Sequence, residues 1–195
     1  MRSTRPHPGA EELAAVARDV RGADPYAPLR RATVEHRRAH GCSAYAFDDG
    51  RILVALAHRL EPARVLELGT AVGYTACCWA DAGASVDTVE GDAEHVRLAR
   101  ANLVTAGASD RVTVHEGRFE QVLPGLAGPY DVVFFDGYAP SPDLLEAMRA
   151  RLARPGLLVT ANLHLAGGDI GRVLRGWDDA RTLAVDDDVA LTVVG

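Results

Sequence analysis

Val65-Leu66-Glu67-Leu68-Gly69-Thr70-Ala71-Val72-Gly73-Tyr74-Thr75 decides how this chain folds. The apolar run 65–68 has strand length and stops at Gly69. Helical spacing resumes after Gly73 and runs to about Asp81. Strand, glycine turn and helix in that order open a parallel α/β unit. At such a turn the backbone can approach a ligand closely, and the free N–H groups of the helix start face it. The glycine spacing here is GxxxG, whereas a dinucleotide site wants GxGxxG so that a pyrophosphate rests on the helix. Glu67, two residues before Gly69, suits a cationic or zwitterionic ligand better than a pyrophosphate.

Outward from that turn the pattern repeats. Runs 85–89, 112–115, 131–135 and 157–161 read as further strands. Asp92 caps a helix with Val96, Ala99 and Leu103 on its apolar face, ending at Gly107. A short helix is expected over 119–126. Ser141-Pro142 starts another, with proline at the first helical position, and 170–177 suggests one more. Runs 181–185 and 190–194 are separated by too short a loop for anything but an antiparallel hairpin. Upstream, 10–20 and 29–40 have helical spacing, and Asp48 or Asp49 caps a helix to about Leu60. The expected fold is α/β: a doubly wound, Rossmann-like sheet, mostly parallel, with a C-terminal antiparallel hairpin and N-terminal helices before it. Residues 1–44 form a helical segment and 45–195 the main domain.

Glu90 follows strand 85–89 and lies 21 positions after Gly69. In this topology it stands at the carboxyl end of the neighbouring strand, where a carboxylate can accept both hydroxyls of a ribose.

Composition narrows the options. A chain of 195 residues with 48% hydrophobic and 25% charged residues suits one ordinary globular domain. Its apolar runs fall far short of the ~20 residues of a membrane span. The first residues lack the apolar core of a signal peptide, so a cytoplasmic location is expected. The net charge of −6 disfavours nucleic acid as a partner. All 21 basic residues are arginine, which excludes Schiff-base, P-loop-lysine and lysine-base chemistry. Cys42, Cys77 and Cys78 show neither zinc-motif spacing nor a disulfide framework, and Cys77 and Cys78 read as packing residues. His36 and His40 read as surface residues of an Arg/His-rich helix face.

The motifs together resemble the class I S-adenosylmethionine-dependent methyltransferases, in their catechol and caffeoyl-CoA O-methyltransferase-like branch. The residues carrying the likeness are Asp49-Gly50-Arg51-Ile52-Leu53, the 65–75 stretch, Glu90, VTVHEG (112–117), YDVVFFDGY (130–138), RPGLLVTAN (154–162) and DDVALTV (187–193). It spans about 45–195; residues 1–44 match only in being helical.

The resemblance implies S-adenosylmethionine as cofactor and a small-molecule methyl acceptor. Gly69, Thr70 and Gly73 would pass beneath the methionine part, and Glu67 would stand near its amino group. Tyr74 and Thr75 would hold the carboxylate end. Glu90 would bind the ribose, and Gly117, Arg118 and Phe119 would flank the adenine. Asp136 would face the reaction centre. The branch's metal-dependent members use one Asp after the fourth strand and an Asp-Asn pair after the fifth. Asp136 and Asn162 match two of these positions, but Ala161 stands at the third. No working Mg²⁺ site is therefore expected, Asp136 and Asn162 being weak candidates only. The branch's lysine base would fall near Ala139 and is missing. His164, in the loop after the fifth strand, and Tyr138 are the candidates to accept the acceptor's proton. Branch precedent also implies a homodimer. The competing readings are an inactive methyltransferase fold serving as a binding or regulatory protein, and an N-methyltransferase.

Overall fold

Strands that are apolar on both faces must be covered from both sides. A computed structural model, which describes residues 7–163 and 169–195, shows how this is done. The strands are β1 (Arg64–Leu68), β2 (Ser85–Glu90), β3 (Val112–Glu116), β4 (Tyr130–Phe135), β5 (Leu152–Thr160), β6 (Ala180–Ala184) and β7 (Ala190–Val194). They form one sheet in the order β3-β2-β1-β4-β5-β7-β6. β1 to β5 pair in parallel. β7 runs antiparallel between β5 and β6, closing the expected hairpin.

The helices are α1 (Ala10–Arg18), α2 (Ala27–His40), α3 (Gly50–Leu60), α4 (Tyr74–Ala80), α5 (Ala93–Thr105), α6 (Phe119–Val122), α7 (Pro142–Arg149) and α8 (Asp169–Arg175). Their starts follow local chemistry. Asp49 accepts from Arg51 N at 3.1 Å, Asp92 from Glu94 N at 2.9 Å, and Ser141 from Leu144 N at 3.1 Å. Gly41 ends α2 in the left-handed conformation at φ 62°. The expected helix over 119–126 is one α turn followed by a 3₁₀ turn, Leu123–Gly125.

Alternation along the strands divides the core into two. Val65, Val132, Phe134, Val159 and Leu191 face a layer containing Leu13 of α1, Leu53 and Leu56 of α3, Trp79 of α4 and Leu103 of α5. Leu66, Val133, Phe135 and Leu158 face Leu145 and Met148 of α7 and Leu174 of α8. The strands are tied at their entry end by Asp87. It accepts from His115 Nε2 at 2.8 Å, Tyr130 Oη at 2.9 Å and Arg64 Nη2 at 3.2 Å.

β5 starts at Leu152, five residues earlier than the sequence indicates. Pro155 lies inside it, where a central strand usually excludes proline. In the structure Arg154-Pro155-Gly156 bulge out, so that Tyr130 pairs with Leu152 while Val132 pairs with Leu157. Gly156 is required there, because a Cβ would lie 2.5 Å from the Ala153 carbonyl. Among the described residues no helix is long and apolar enough to cross a membrane.

Candidate active site

The carboxyl ends of β1, β2, β4 and β5 surround a cavity of about 500 Å³. This is the edge at which open α/β sheets bind ligands. The glycine turn forms its floor. Gly69 has φ 108°, and a Cβ there would lie 2.8 Å from the Asp136 carbonyl oxygen. Conformation and space both demand glycine. Gly73 demands it by conformation alone, at φ 98°. Between them Ala71 also holds positive φ, at 45°. The turn therefore carries stored strain, as ligand-clamping loops do.

Glu90 lies against this turn. Its carboxylate accepts from Ala71 N at 2.8 Å and from Asp92 N at 2.9 Å, so β2 and the turn after β1 share one acid. Beneath lies Glu67, fully buried. Burial pushes its carboxyl up to about 7, even though Thr75 and Thr88 pull it down, and the nearby Glu90 pushes it further up. Thr88 Oγ1 donates to Glu67 Oε2 at 2.6 Å, and Thr70 Oγ1 meets Thr88 Oγ1 at 2.5 Å. The other oxygen, Oε1, has no hydrogen bond of regular geometry. A buried acid beneath a ligand-clamping turn can answer a cationic group of a ligand, such as an ammonium.

Asp136 follows β4 and lines the cavity opposite Glu90. Its carboxyl titrates well above the ordinary range, first because of burial and then because of Glu67. Asn162 donates Nδ2 to Asp136 Oδ1 at 3.1 Å and to the Gly137 carbonyl at 3.0 Å. Tyr138 also lines the cavity and is 75% exposed. A second recess of about 380 Å³ adjoins, formed by Gly91, Gly117, Arg118 and Phe119. Phe119 and Tyr138 border both spaces. Gly117 has φ 144°, and a Cβ on it would lie 2.8 Å from Val122 Cγ2. Phe119 packs edge-on to Phe135, with ring centroids 6.1 Å apart.

The structure thus brings Gly69, Glu90, Phe119, Asp136, Tyr138 and Asn162 to one cavity, with Gly117 and Arg118 in the adjoining recess. Thr70 and Thr75 lie behind the turn, in the buried chain that ends on Glu67. Tyr74 turns the other way. Its hydroxyl donates to Asp24 Oδ2 at 2.7 Å and accepts from Gly50 N at 2.9 Å, holding the N-terminal segment to α4. It does not line the cavity. His164 lies outside the described residues.

Two parts of the cavity escape sequence reading. Its outer wall is the segment 43–48, with Tyr45, Phe47 and Asp48. Phe47 packs on Phe134 of β4 at 5.6 Å between centroids, and Arg37 covers the Tyr45 ring at 3.7 Å. The other part is Asp188, which the β6–β7 hairpin places on the rim. Asp48, Glu90, Asp136 and Asp188 make the lining acidic, and no basic side chain is among the described lining residues.

The branch's metal arrangement does not fit. Ala161 is buried, and its side chain offers no oxygen. Of the three matching positions, only Asp136 and Asn162 carry side-chain oxygens.

Fold and site together define a Rossmann-like methyltransferase. The chain belongs to the methyltransferase-domain family, whose model matches residues 66–164. A catechol O-methyltransferase of Mycobacterium tuberculosis is 36% identical over 146 residues, covering 72% of this chain and 64% of that protein. One from Niastella koreensis is 32% identical over 130 residues, covering 63% of this chain and 59% of its own. The chain therefore spans less than two thirds of either relative's length. A Bacillus cereus O-methyltransferase solved in complex with SAH superposes with a TM-score of 0.76 at 18% identity, covering 95% of this chain and 98% of that one, a likeness of fold.

Proposed function

We propose that this chain is an S-adenosylmethionine-dependent O-methyltransferase acting on a small hydroxyl-bearing metabolite, phenolic or similar, without the branch's full metal site. The observation that carries the reading is the meeting of Glu90 with the strained Gly69–Gly73 turn through Ala71 N. Names of relatives support the reaction type.

In this reading Glu90 accepts the ribose hydroxyls. The adenine occupies the recess beside Gly117, Arg118 and Phe119. The backbone of Gly69 and Thr70 runs beneath the methionine part, and Glu67 answers its ammonium group through Oε1. Thr70 and Thr75 act by holding Glu67, and Tyr74 acts by fixing Gly50 and Asp24. When bound, the cofactor supplies an electrophilic methyl group on a sulfonium sulfur.

This chain's own task is to align the acceptor hydroxyl and to take its proton. Asp136 is the group at hand for the proton. Burial and the nearby Glu67 raise its pKa, so that, once ionised, it is a stronger base than an ordinary carboxylate. Tyr138 and the wall 43–48 bound the acceptor.

The acid-rich lining favours a second reading, an amine acceptor, because Asp48 and Asp188 would attract an ammonium-bearing molecule. A titration calorimetry experiment with S-adenosylhomocysteine, with and without EDTA, tests the cofactor assignment. Micromolar binding in both arms is expected; absence of binding sinks the proposal. Turnover on matched phenol and amine panels then separates the two acceptors.

A further inference from the structure

Away from the cavity lining, α2, the turn after it and the first turn of α5 converge. His36 comes from α2, Cys42 from the turn and His95 from α5. One ring nitrogen of each histidine and the cysteine sulfur all lie within 4.8 Å of one another. Among the described residues no other three His, Cys, Asp or Glu side chains gather their ligand atoms this closely. We propose that His36, Cys42 and His95 form a binding site for a transition-metal dication of the zinc type, which clamps α2 and the turn after it to α5. This proposal does not depend on the methyl-transfer reading.

The donor set is chemically selective. Two imidazoles and a thiolate suit Zn²⁺ and Co²⁺ and do not suit Mg²⁺, which takes oxygen. In a tetrahedral site with metal–sulfur bonds of about 2.3 Å and metal–nitrogen bonds of about 2.0–2.1 Å, ligand atoms stand roughly 3.3–3.6 Å apart. The observed spread therefore closes by small side-chain movements. His95 is held firmly, being only 3% exposed. Its backbone N donates to Asp92 at the α5 cap. Its Nδ1 lies 3.7 Å from Glu90 Oε1, so a carboxylate stands beside a candidate ligand ring, as it commonly does around protein-bound zinc. His40 lies tilted against His36, with centroids 4.6 Å apart, and limits where that ring can turn. His36 and His95 meet edge-on at 5.5 Å.

Three protein ligands leave a fourth position to solvent. On binding, the Cys42 thiol gives its proton to water and the sulfur bonds the metal as thiolate, so uptake releases one proton. The site has a structural consequence. Cys42 immediately precedes the wall 43–48 of the cavity, and His95 lies beside Glu90 within it. A bound metal therefore ties the start of the wall to the helix whose His95 lies beside Glu90.

The test is Co²⁺ titration of the reduced, metal-stripped full chain, with Zn²⁺ displacing the Co²⁺. The expected result is one equivalent bound, with a thiolate-to-cobalt charge-transfer band. C42S abolishes the band, and H36N weakens binding by at least about tenfold. His58→Asn, a surface histidine paired with Asp81, leaves binding unchanged. Zn²⁺ also slows alkylation of Cys42 in C77A/C78A protein, a readout independent of the C42S and H36N variants. Substoichiometric uptake, a spectrum without the thiolate band, or binding that survives C42S overturns the proposal.

Discussion

Asn162 holds the Asp136 carboxyl from a left-handed backbone at φ 60°, with Nδ2 3.1 Å from Oδ1. That bond lowers a carboxyl which burial and Glu67 raise. If Asp136 takes the acceptor's proton, Asn162 sets the pH at which it does so. Asn162→Ala should raise the Asp136 pKa further and move the acidic limb of the rate profile to higher pH. Asp136→Asn should lower turnover by about 10²-fold or more on the alkaline side of that limb and remove the limb itself. Rate–pH profiles of both variants, with melting curves to verify folding, check this pair of outcomes.

Glu67 links proton uptake to cofactor binding. Its carboxyl is raised from 4.5 to about 7 in the folded chain. Between those values the folded state holds more protons than the unfolded one, so this group's contribution to stability falls as pH rises from about 4.5 to about 7. Glu67→Gln removes that slope, which denaturant titrations across the window would reveal. A ligand ammonium favours the ionised carboxylate. S-adenosylhomocysteine binding should therefore tighten as pH rises towards about 7 and release protons below it. Calorimetry in buffers of different ionisation enthalpy measures that release; Glu67→Gln should abolish it.

Glu90 should dominate cofactor affinity. Hydrogen bonds to a charged group contribute about 1.5–3 kcal/mol, so Glu90→Ala should weaken S-adenosylhomocysteine binding by roughly 10- to 100-fold. It also leaves Ala71 N and Asp92 N without their acceptor. Glu90→Gln, which keeps an acceptor oxygen, should lose less. Equal losses in the two variants would locate the ribose elsewhere.

Gly69→Ala should be damaging in both respects. The new Cβ would lie 2.8 Å from the Asp136 carbonyl, at a φ that L-residues rarely adopt. A cost of about 1–3 kcal/mol is expected, seen as a lower melting temperature together with loss of ligand binding. Gly125→Ala, whose Cβ meets nothing within 4 Å, serves as the control.

The sequence reveals what neighbouring residues determine. The turn at 65–75 and the caps at Asp49, Asp92 and Ser141 are local features, and the structure has them where the spacing puts them. Glu90 is found because the strand after a glycine turn delivers its last residue to a known edge. The hydroxyl contacts of Tyr74 are not legible because its motif is local while its partners, Asp24 and Gly50, are distant in sequence. Asp188 and the wall 43–48 are invisible for the same reason. They reach the cavity only because β7 enters beside β5 and because Phe47 packs on Phe134. His36 and His95 lie 59 positions apart in sequence, and no metal motif has that spacing. β5 reads short because a proline inside a strand looks like its end until the bulge is seen.

β7 lies between two strands that precede it in the chain. During translation β6 emerges from the ribosome before the strand that must separate it from β5. Until residues 190–194 follow, β5 presents an open edge carrying Leu157, Leu158 and Val159, all fully buried in the finished sheet. The nascent chain thus carries a sticky edge until β7 emerges to cover it. Ribosome stalling ahead of residue 190 should leave a chaperone-binding species, whereas release of β7 should complete the sheet in one step.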